Sequence, residues 1–456
     1  MRINNVRRLH NGVYKNMAER RVVITGLGLT TCIGTGKDAY FDALKDGAIG
    51  IDTISRFDAS HFPSSIGGEV RDIKTRDYVP KAHRKATKLM CRDIELTVIA
   101  ADLAVRDAKL TTKGTDPASP SSLDPIRSGV NIGAGLICCD IEELGGAVTD
   151  GVTDNKFDYG KWGTDGMLSL TPLWLLKYLP NMLNCHISII HDLQGPSNAI
   201  TCADAGGLLS ISEAAKLIAR DKADVMICGG AESKINPIDL LRQVFFKYTN
   251  NNSNDDPQSA CKPFDEHADG TAIAEGGGII ILESLEHALA RDAHIYGEVT
   301  GYGSSTCFTD DFITPETNGD GIAIALKQAI DKAGISPADI GLLIPQGVGV
   351  RQMDIAEANA INTVFGASTK SLPIYSTKPQ IGFAGTAGCS IDLITAVLIL
   401  NNGIIPKTQN TQNVNVNYGI NVTCDGPIKT EMQHVATNCH AIGGQTAAMV
   451  VSRYKT

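Results

Sequence analysis

The stretch GPSNAITCADAGGLLSISEAA, from Gly195 to Ala215, restricts what this chain can fold into more than any other. Asn198 to Cys202 reads as a strand, Ala203 to Gly207 as a tight turn of small residues, and the remainder as a helix. So sharp a strand-to-helix elbow favours small residues, here Ala203, Ala205, Gly206 and Gly207. This is where an α/β enzyme presents a nucleophile, with the tip side chain facing the free N–H groups of the next helix. Acyl chemistry wants Ser or Cys at such a tip, and this chain has Asp204. The helix N-terminus is expected to keep Asp204 ionised, a stable anion rather than a nucleophile.

Strands and helices alternate along the rest of the chain. RVVITGLG, Arg21 to Gly28, reads as a buried strand ending in a glycine turn. Such a turn could cradle phosphate, but the full GxGxxG is missing, so a tight turn is the simpler reading. Helices are expected over Lys37 to Leu44, Asp93 to Lys109 and Ser210 to Arg220. Strands are expected over Ser128 to Gly135 and Val225 to Cys228, the latter ending in GGAE, Gly229 to Glu232. AEGGGIIILE, Ala274 to Glu283, reads as a glycine turn into a buried strand.

The second half echoes the first. VTGYG, Val299 to Gly303, repeats ITGLG, Ile24 to Gly28, and AIGGQTAAMVV, Ala441 to Val451, repeats AEGGGIIILE. The pattern predicts a duplicated α/β architecture of parallel sheets covered by helices, with a site where the halves meet. Residues 1–20 form an N-terminal extension, 21–285 the first half and 286–456 the second.

Composition narrows the function classes. A net charge of −9 argues against a nucleic-acid binder. No apolar run spans a bilayer and no signal-peptide core opens the chain, which points to the cytoplasm. The 12 cysteines are scattered, as buried reduced thiols are, and no ligand spacing suggests a metal or other cofactor. Against the acidic background, Val70 to Arg92 gathers Arg71, Lys74, Arg76, Lys81, Arg84, Lys85, Lys88 and Arg92. The segment is either a solvated helix face or a docking patch for an acidic partner. Thr171 to His186 is apolar and broken by Pro180, and its Trp174 and Tyr178 suit a core or a subunit interface.

Taken together, RRVVITGLG, the GPS-strand-elbow, DVMICGGAE, STKPQIGFAGTAG and NCHAIGGQT resemble the elongating (type II) β-ketoacyl-acyl carrier protein synthases. The resemblance runs from Arg21 to Arg453 and implies a thiolase-like duplicated fold, two mixed sheets sandwiched by helices in five αβαβα layers. It also implies a cysteine acyl acceptor at the elbow, two histidines for decarboxylation and condensation, and a supporting lysine. Carried over, the cysteine position is Asp204, the first histidine is Gln346 in QGVGV, and the second is Phe383 in KPQIGFAGTAG. Lys378 remains, and Asp354 and Glu357 match the acidic positions after the first motif. In the closing loop Ile442 stands where the family has a gating phenylalanine, with His440 nearby. The basic residues Arg76, Lys81, Arg84, Lys85 and Lys88 are the expected carrier-protein docking site.

The substitutions remove ordinary condensation. Thioester exchange needs a thiolate, and a carboxylate acceptor would give a high-energy anhydride. Decarboxylation needs donors aimed at the forming enolate oxygen; Gln346 has an amide to offer and Phe383 nothing. Cys202 lies two residues upstream, and strand geometry leaves it short of the tip. Three readings follow. The chain is a non-condensing partner of an intact synthase, as chain-length factors are, although those usually carry Gln at the elbow. Alternatively it is an enzyme using Asp204 as acid or base on a carrier-bound substrate, or a stand-alone acyl-binding protein. The first implies a heterodimer and an acyl carrier protein as partners; otherwise a homodimer is expected.

Overall fold

The computed structural model describes residues 19–455 and resolves the duplication strand by strand. The first half supplies β1 (Val22–Thr31), β2 (Ser128–Ala134), β3 (Ser197–Ile200), β4 (Val225–Ser233) and β5 (Ile273–Ser284). The second supplies β6 (Gly297–Thr306), β7 (Ile340–Ile344), β8 (Pro373–Ile374), β9 (His434–His440) and β10 (Gln445–Ser452). Their spatial orders are β1-β5-β4-β2-β3 and β6-β10-β9-β7-β8, the same arrangement twice. The directions repeat as well. The first three strands of each order run antiparallel, and the last three run parallel. Antiparallel pairing of Val23 with Glu298 and Ile24 with Gly297 joins β1 to β6, so the two strand sets form one continuous ladder.

The helices repeat in the same way. Arg92–Asp107 (α1) and Met182–His191 (α2) cover one outer face, and Asp320–Ala333 (α4) and Arg351–Phe365 (α5) cover the other. Between the strand sets lie Gly206–Ala219 (α3) and Thr386–Asn402 (α6). A helix packed on all sides must be apolar all round, and α6 is buried from Thr386 through Leu400. The result is the thiolase-like layering the resemblance implies. No helix among the described residues is long and apolar enough to cross a membrane.

The glycines of the repeated TGxG are not turns. A methyl on Gly28 would lie 2.0 Å from the Ala100 carbonyl oxygen of α1, and one on Gly303 2.1 Å from that of Ala325 in α4. They sit inside strands so that a helix backbone can lie against the sheet, which removes the phosphate-cradle option. Gly276 to Gly278 likewise belong to the unbroken strand β5. Only the closing pair, Gly443 and Gly444 with φ of 80° and 81°, makes the expected turn, between β9 and β10. Close packing also starts α3 at Gly206, four residues before the expected Ser210. A methyl on Gly207 would meet Ser390 Oγ of α6 at 2.3 Å, so contact overrides the low helix propensity of glycine.

Candidate functional site

The elbow is built as the sequence suggests. β3 leads into one 3₁₀ turn, Ala203–Ala205, and then α3. Ala203 takes φ of 41°, a conformation costly for a residue with a Cβ and typical of functional turns. Asp204 is buried, and its carboxylate meets a group that sequence reasoning missed, Lys234, with Nζ 3.7 Å from Oδ1. Lys234 Nζ also donates to Glu232 Oε1 at 2.7 Å and lies 5.1 Å from the centre of the Phe383 ring. Burial, reinforced by Glu232, pushes the Asp204 carboxyl up to about 6, against the pull of Lys234 and of its own backbone N–H. Desolvation is therefore the larger effect on this carboxyl, yet a value near 6 still leaves Asp204 mainly ionised at neutral pH. Burial also works against the Lys234 ammonium, yet Glu232 and Asp204 outweigh it and raise its pKa.

Gln346 is held from both ends. Its backbone N–H and that of Gly347 donate to the Glu357 carboxylate, each at 2.8 Å, and Asn438 Nδ2 donates to the same group at 2.7 Å. Asp354 accepts from Phe264 N at 2.7 Å and Gly349 N at 3.2 Å. Burial pushes these carboxyls up, Asp354 to about 8 and Glu357 to about 7. The two acids that match the family positions thus brace the backbone of the QGVGV loop.

Phe383 is stitched to the β5 end, donating from its N–H to Ala272 O at 2.8 Å and accepting from Ala274 N at 3.0 Å. Its ring meets Tyr248 edge-on at 6.4 Å and packs in a cluster with Val348, Val350, Met353 and the partly buried Ile442. Lys378 directs its ammonium to a different carboxylate. Its Nζ donates to Asp392 Oδ2 of α6 at 2.6 Å and to Thr377 Oγ1 at 3.1 Å, a closed and fully buried ion pair.

One cavity of about 70 Å³ collects Asp204, Glu232, Lys234, Tyr248, Phe383 and Ile442 on its walls. Room for several waters exists there, well short of the ~300 Å³ at which small-molecule pockets begin. His440, expected beside Ile442 at the gate, lines a neighbouring cavity of about 20 Å³ with Cys307, Phe312 and Ile313. Burial pushes its imidazole down to about 4. Cys202 is absent from the walls of the elbow cavity, and burial raises its thiol pKa.

The basic segment divides in two. Arg71 is spent on Asp52 and Glu69, and Arg92 on Glu275 and Glu95. Arg76, Lys81, Lys85 and Lys88 are exposed on the 3₁₀ turns Thr75–Asp77 and Lys81–Leu89, with Arg84 half-buried among them. Of the apolar segment before β3, the Trp174 and Tyr178 rings, 5.2 Å apart, pack toward the chain's own core. Their neighbours face outward instead: Leu168 is 83% exposed, and Met167, Leu173, Leu175 and Ile189 are exposed as well.

Comparison with known proteins agrees with this architecture. The family profile described as "Beta-ketoacyl synthase, N-terminal domain" matches residues 19–288, and "Beta-ketoacyl synthase, C-terminal domain" matches residues 296–412. The 3-oxoacyl-[acyl-carrier-protein] synthase 2 of Rhizobium meliloti (strain 1021) is 32% identical over 445 residues, covering 95% of this chain and 99% of that protein. The chloroplastic 3-oxoacyl-[acyl-carrier-protein] synthase I of Arabidopsis thaliana is 30% identical, covering 96% and 87%. Among solved structures, the ishigamide ketosynthase/chain length factor superposes with a TM-score of 0.81 at 26% identity, covering 96% of this chain and 100% of that one. A β-ketoacyl synthase from Burkholderia phymatum STM815 shares the fold with a TM-score of 0.83 at 24% identity, covering the same shares of the two chains.

Proposed function

The chain belongs to the β-ketoacyl synthase family, and from that premise we propose that it acts in fatty acid or polyketide biosynthesis as a non-condensing partner of an intact ketosynthase. The observation that carries this is the Asp204–Lys234 pair at the elbow, 3.7 Å apart, where condensation needs a thiolate. Phe383 adds a ring with no proton to give or take. The likeness to a structure named as a ketosynthase/chain length factor supports the same reading.

A subunit that has lost catalysis can still stabilise its partner by mass action and shape the partner's acyl tunnel. The surface for such a role is available. β3 is an edge strand whose Ser197 and Asn198 are exposed, and an edge presents unpaired N–H and C=O groups to a second strand. The outward-facing Met167, Leu168, Leu173 and Leu175 would add the apolar area of an obligate interface. An acyl carrier protein, being acidic, would dock on Arg76, Lys81, Arg84, Lys85 and Lys88.

A second reading has one observation in its favour. An Asp204 carboxyl near 6 lies in the range where a side chain works as general acid or base. One assay separates the two. Incubate the chain alone, then with an intact synthase, on acyl- and malonyl-carrier substrates, and follow products by mass spectrometry. The proposal expects no product from the chain alone and an altered product length when the synthase is present. Turnover by the chain alone that Asp204→Asn abolishes would replace the first reading with the second.

A further inference from the structure

We infer that the elbow cavity is an ammonium site, filled in this chain by its own Lys234. Glu232 and Lys234 lie two residues apart along an extended backbone, so both side chains leave the same face. Glu232 is held in a slot: a methyl on Gly135 would lie 2.2 Å from its carboxyl carbon, and one on Gly385 2.0 Å from Oε2. Thr386 N, at the start of α6, donates to Oε2 at 2.8 Å and leaves Oε1 for Lys234. Gly385, with φ of 55°, also leaves space for the lysine, whose Cε would be 2.7 Å from an added methyl. The fold therefore makes room for this charge pair.

The rest of the cavity completes the chemistry. Asp204 offers a second carboxylate whose Oδ1 has no hydrogen-bond partner. Aromatic rings line the cavity too, with Phe383 5.1 Å from the ammonium, Tyr248 packed on Phe383, and Phe246 5.7 Å from Tyr248. Two carboxylates and the Phe383 ring face together attract an ammonium ion. An imidazolium at position 383 would repel it, so the changes at 204 and 383 fit together around Lys234. Arg242, the other cation on the cavity wall, is held by Asp239 at 2.7 Å, so a malonyl-type carboxylate entering here would meet Asp204 and Glu232 with both local cations already paired. This holds whether or not a second subunit binds.

The test is rescue of a cavity variant. Lys234→Ala is expected to melt below the native chain, and ethylammonium chloride to raise its Tm with increasing concentration, as mass action requires. Lys234→Met, which fills the space without charge, should not respond, nor should the native chain. Sodium acetate and ethanol should have no effect on any of them. Equal responses of Lys234→Ala and Lys234→Met to ethylammonium, or rescue by acetate, would overturn the site. A second measurement serves if Lys234→Ala does not fold. In the native chain an amine-modifying reagent should label Lys85 and spare Lys234, and equal labelling of the two would contradict the inference.

Discussion

The backbone N–H of His440 donates to Oε1 of Gln346 at 2.9 Å, and this bond fixes which way the Gln346 amide faces. A backbone N–H only donates, so the oxygen must point at it and Nε2 is the one donor the side chain keeps. Position 346, where the resemblance places an imidazole, thus retains only the weak N–H donors of its amide, and Phe383 at the other such position offers none. Asp204→Cys is expected to take up an acyl group at most, with condensation at least ~10² slower than in an intact synthase, the usual contribution of one general acid or base. Full activity from that single change, followed by mass spectrometry, would show the missing histidines to be dispensable. Adding Gln346→His and Phe383→His should still fall short until Lys234 is also replaced, because the new imidazole at 383 would face its ammonium.

Lys378 is expected to act on stability. Removing one partner of a buried pair leaves an uncompensated charge, which costs ~3–5 kcal/mol. Lys378→Met should lower stability by about that amount in denaturant unfolding, and the double variant Lys378→Met with Asp392→Leu should recover most of it. A Lys378→Met protein as stable as the native chain would contradict the closed ion pair.

Acidity should stabilise the elbow. The Asp204 carboxyl titrates near 6 in the fold against ~3.9 unfolded. Below pH ~4 both states are protonated and nothing is lost; between ~4 and ~6 the fold holds the proton that the unfolded chain releases, so stability falls as pH rises. The shift of about two units corresponds to about 2–3 kcal/mol. Unfolding free energies at pH 4 and pH 7 should therefore differ less in Asp204→Asn than in the native chain by roughly that amount. Asp93, Asp354 and Glu357, all raised chiefly by burial, slope the same way and remain in the variant. An unchanged slope in Asp204→Asn would mean that Asp204 titrates normally.

The exposed lysines offer a separate test of carrier docking. Reversing Lys81 and Lys85 to Glu should weaken association with an acidic carrier protein, and added salt should shrink the difference, since charge complementarity acts mainly on encounter. Equal affinity at low salt would return the segment to a solvated surface.

Much of this was legible in the sequence, and the failures have physical reasons. The elbow and the repeated halves show because β-branched runs and small residues recur in the same order. Glycines facing a helix look the same in sequence as glycines in a turn, so TGLG and GGG suggest turns where the fold has strands. Lys378 finds Asp392 fourteen residues on, a contact that only tertiary packing makes. Lys234 does carry a signal in the sequence: in an extended segment its side chain shares a face with Glu232. The fate of Leu173 and Leu175, outside while Trp174 is inside, depends on the left-handed turn at Leu173, φ 65°, which no apolar pattern announces.

The most direct measurement is native mass spectrometry of this chain co-expressed with an intact ketosynthase and its carrier protein. A one-to-one complex of the two ketosynthase-like chains is predicted. Leu173→Asp with Leu175→Asp should dissolve it, and the length of the synthase's product should change with it. A stable homodimer that ignores every synthase offered would contradict the partner-subunit account.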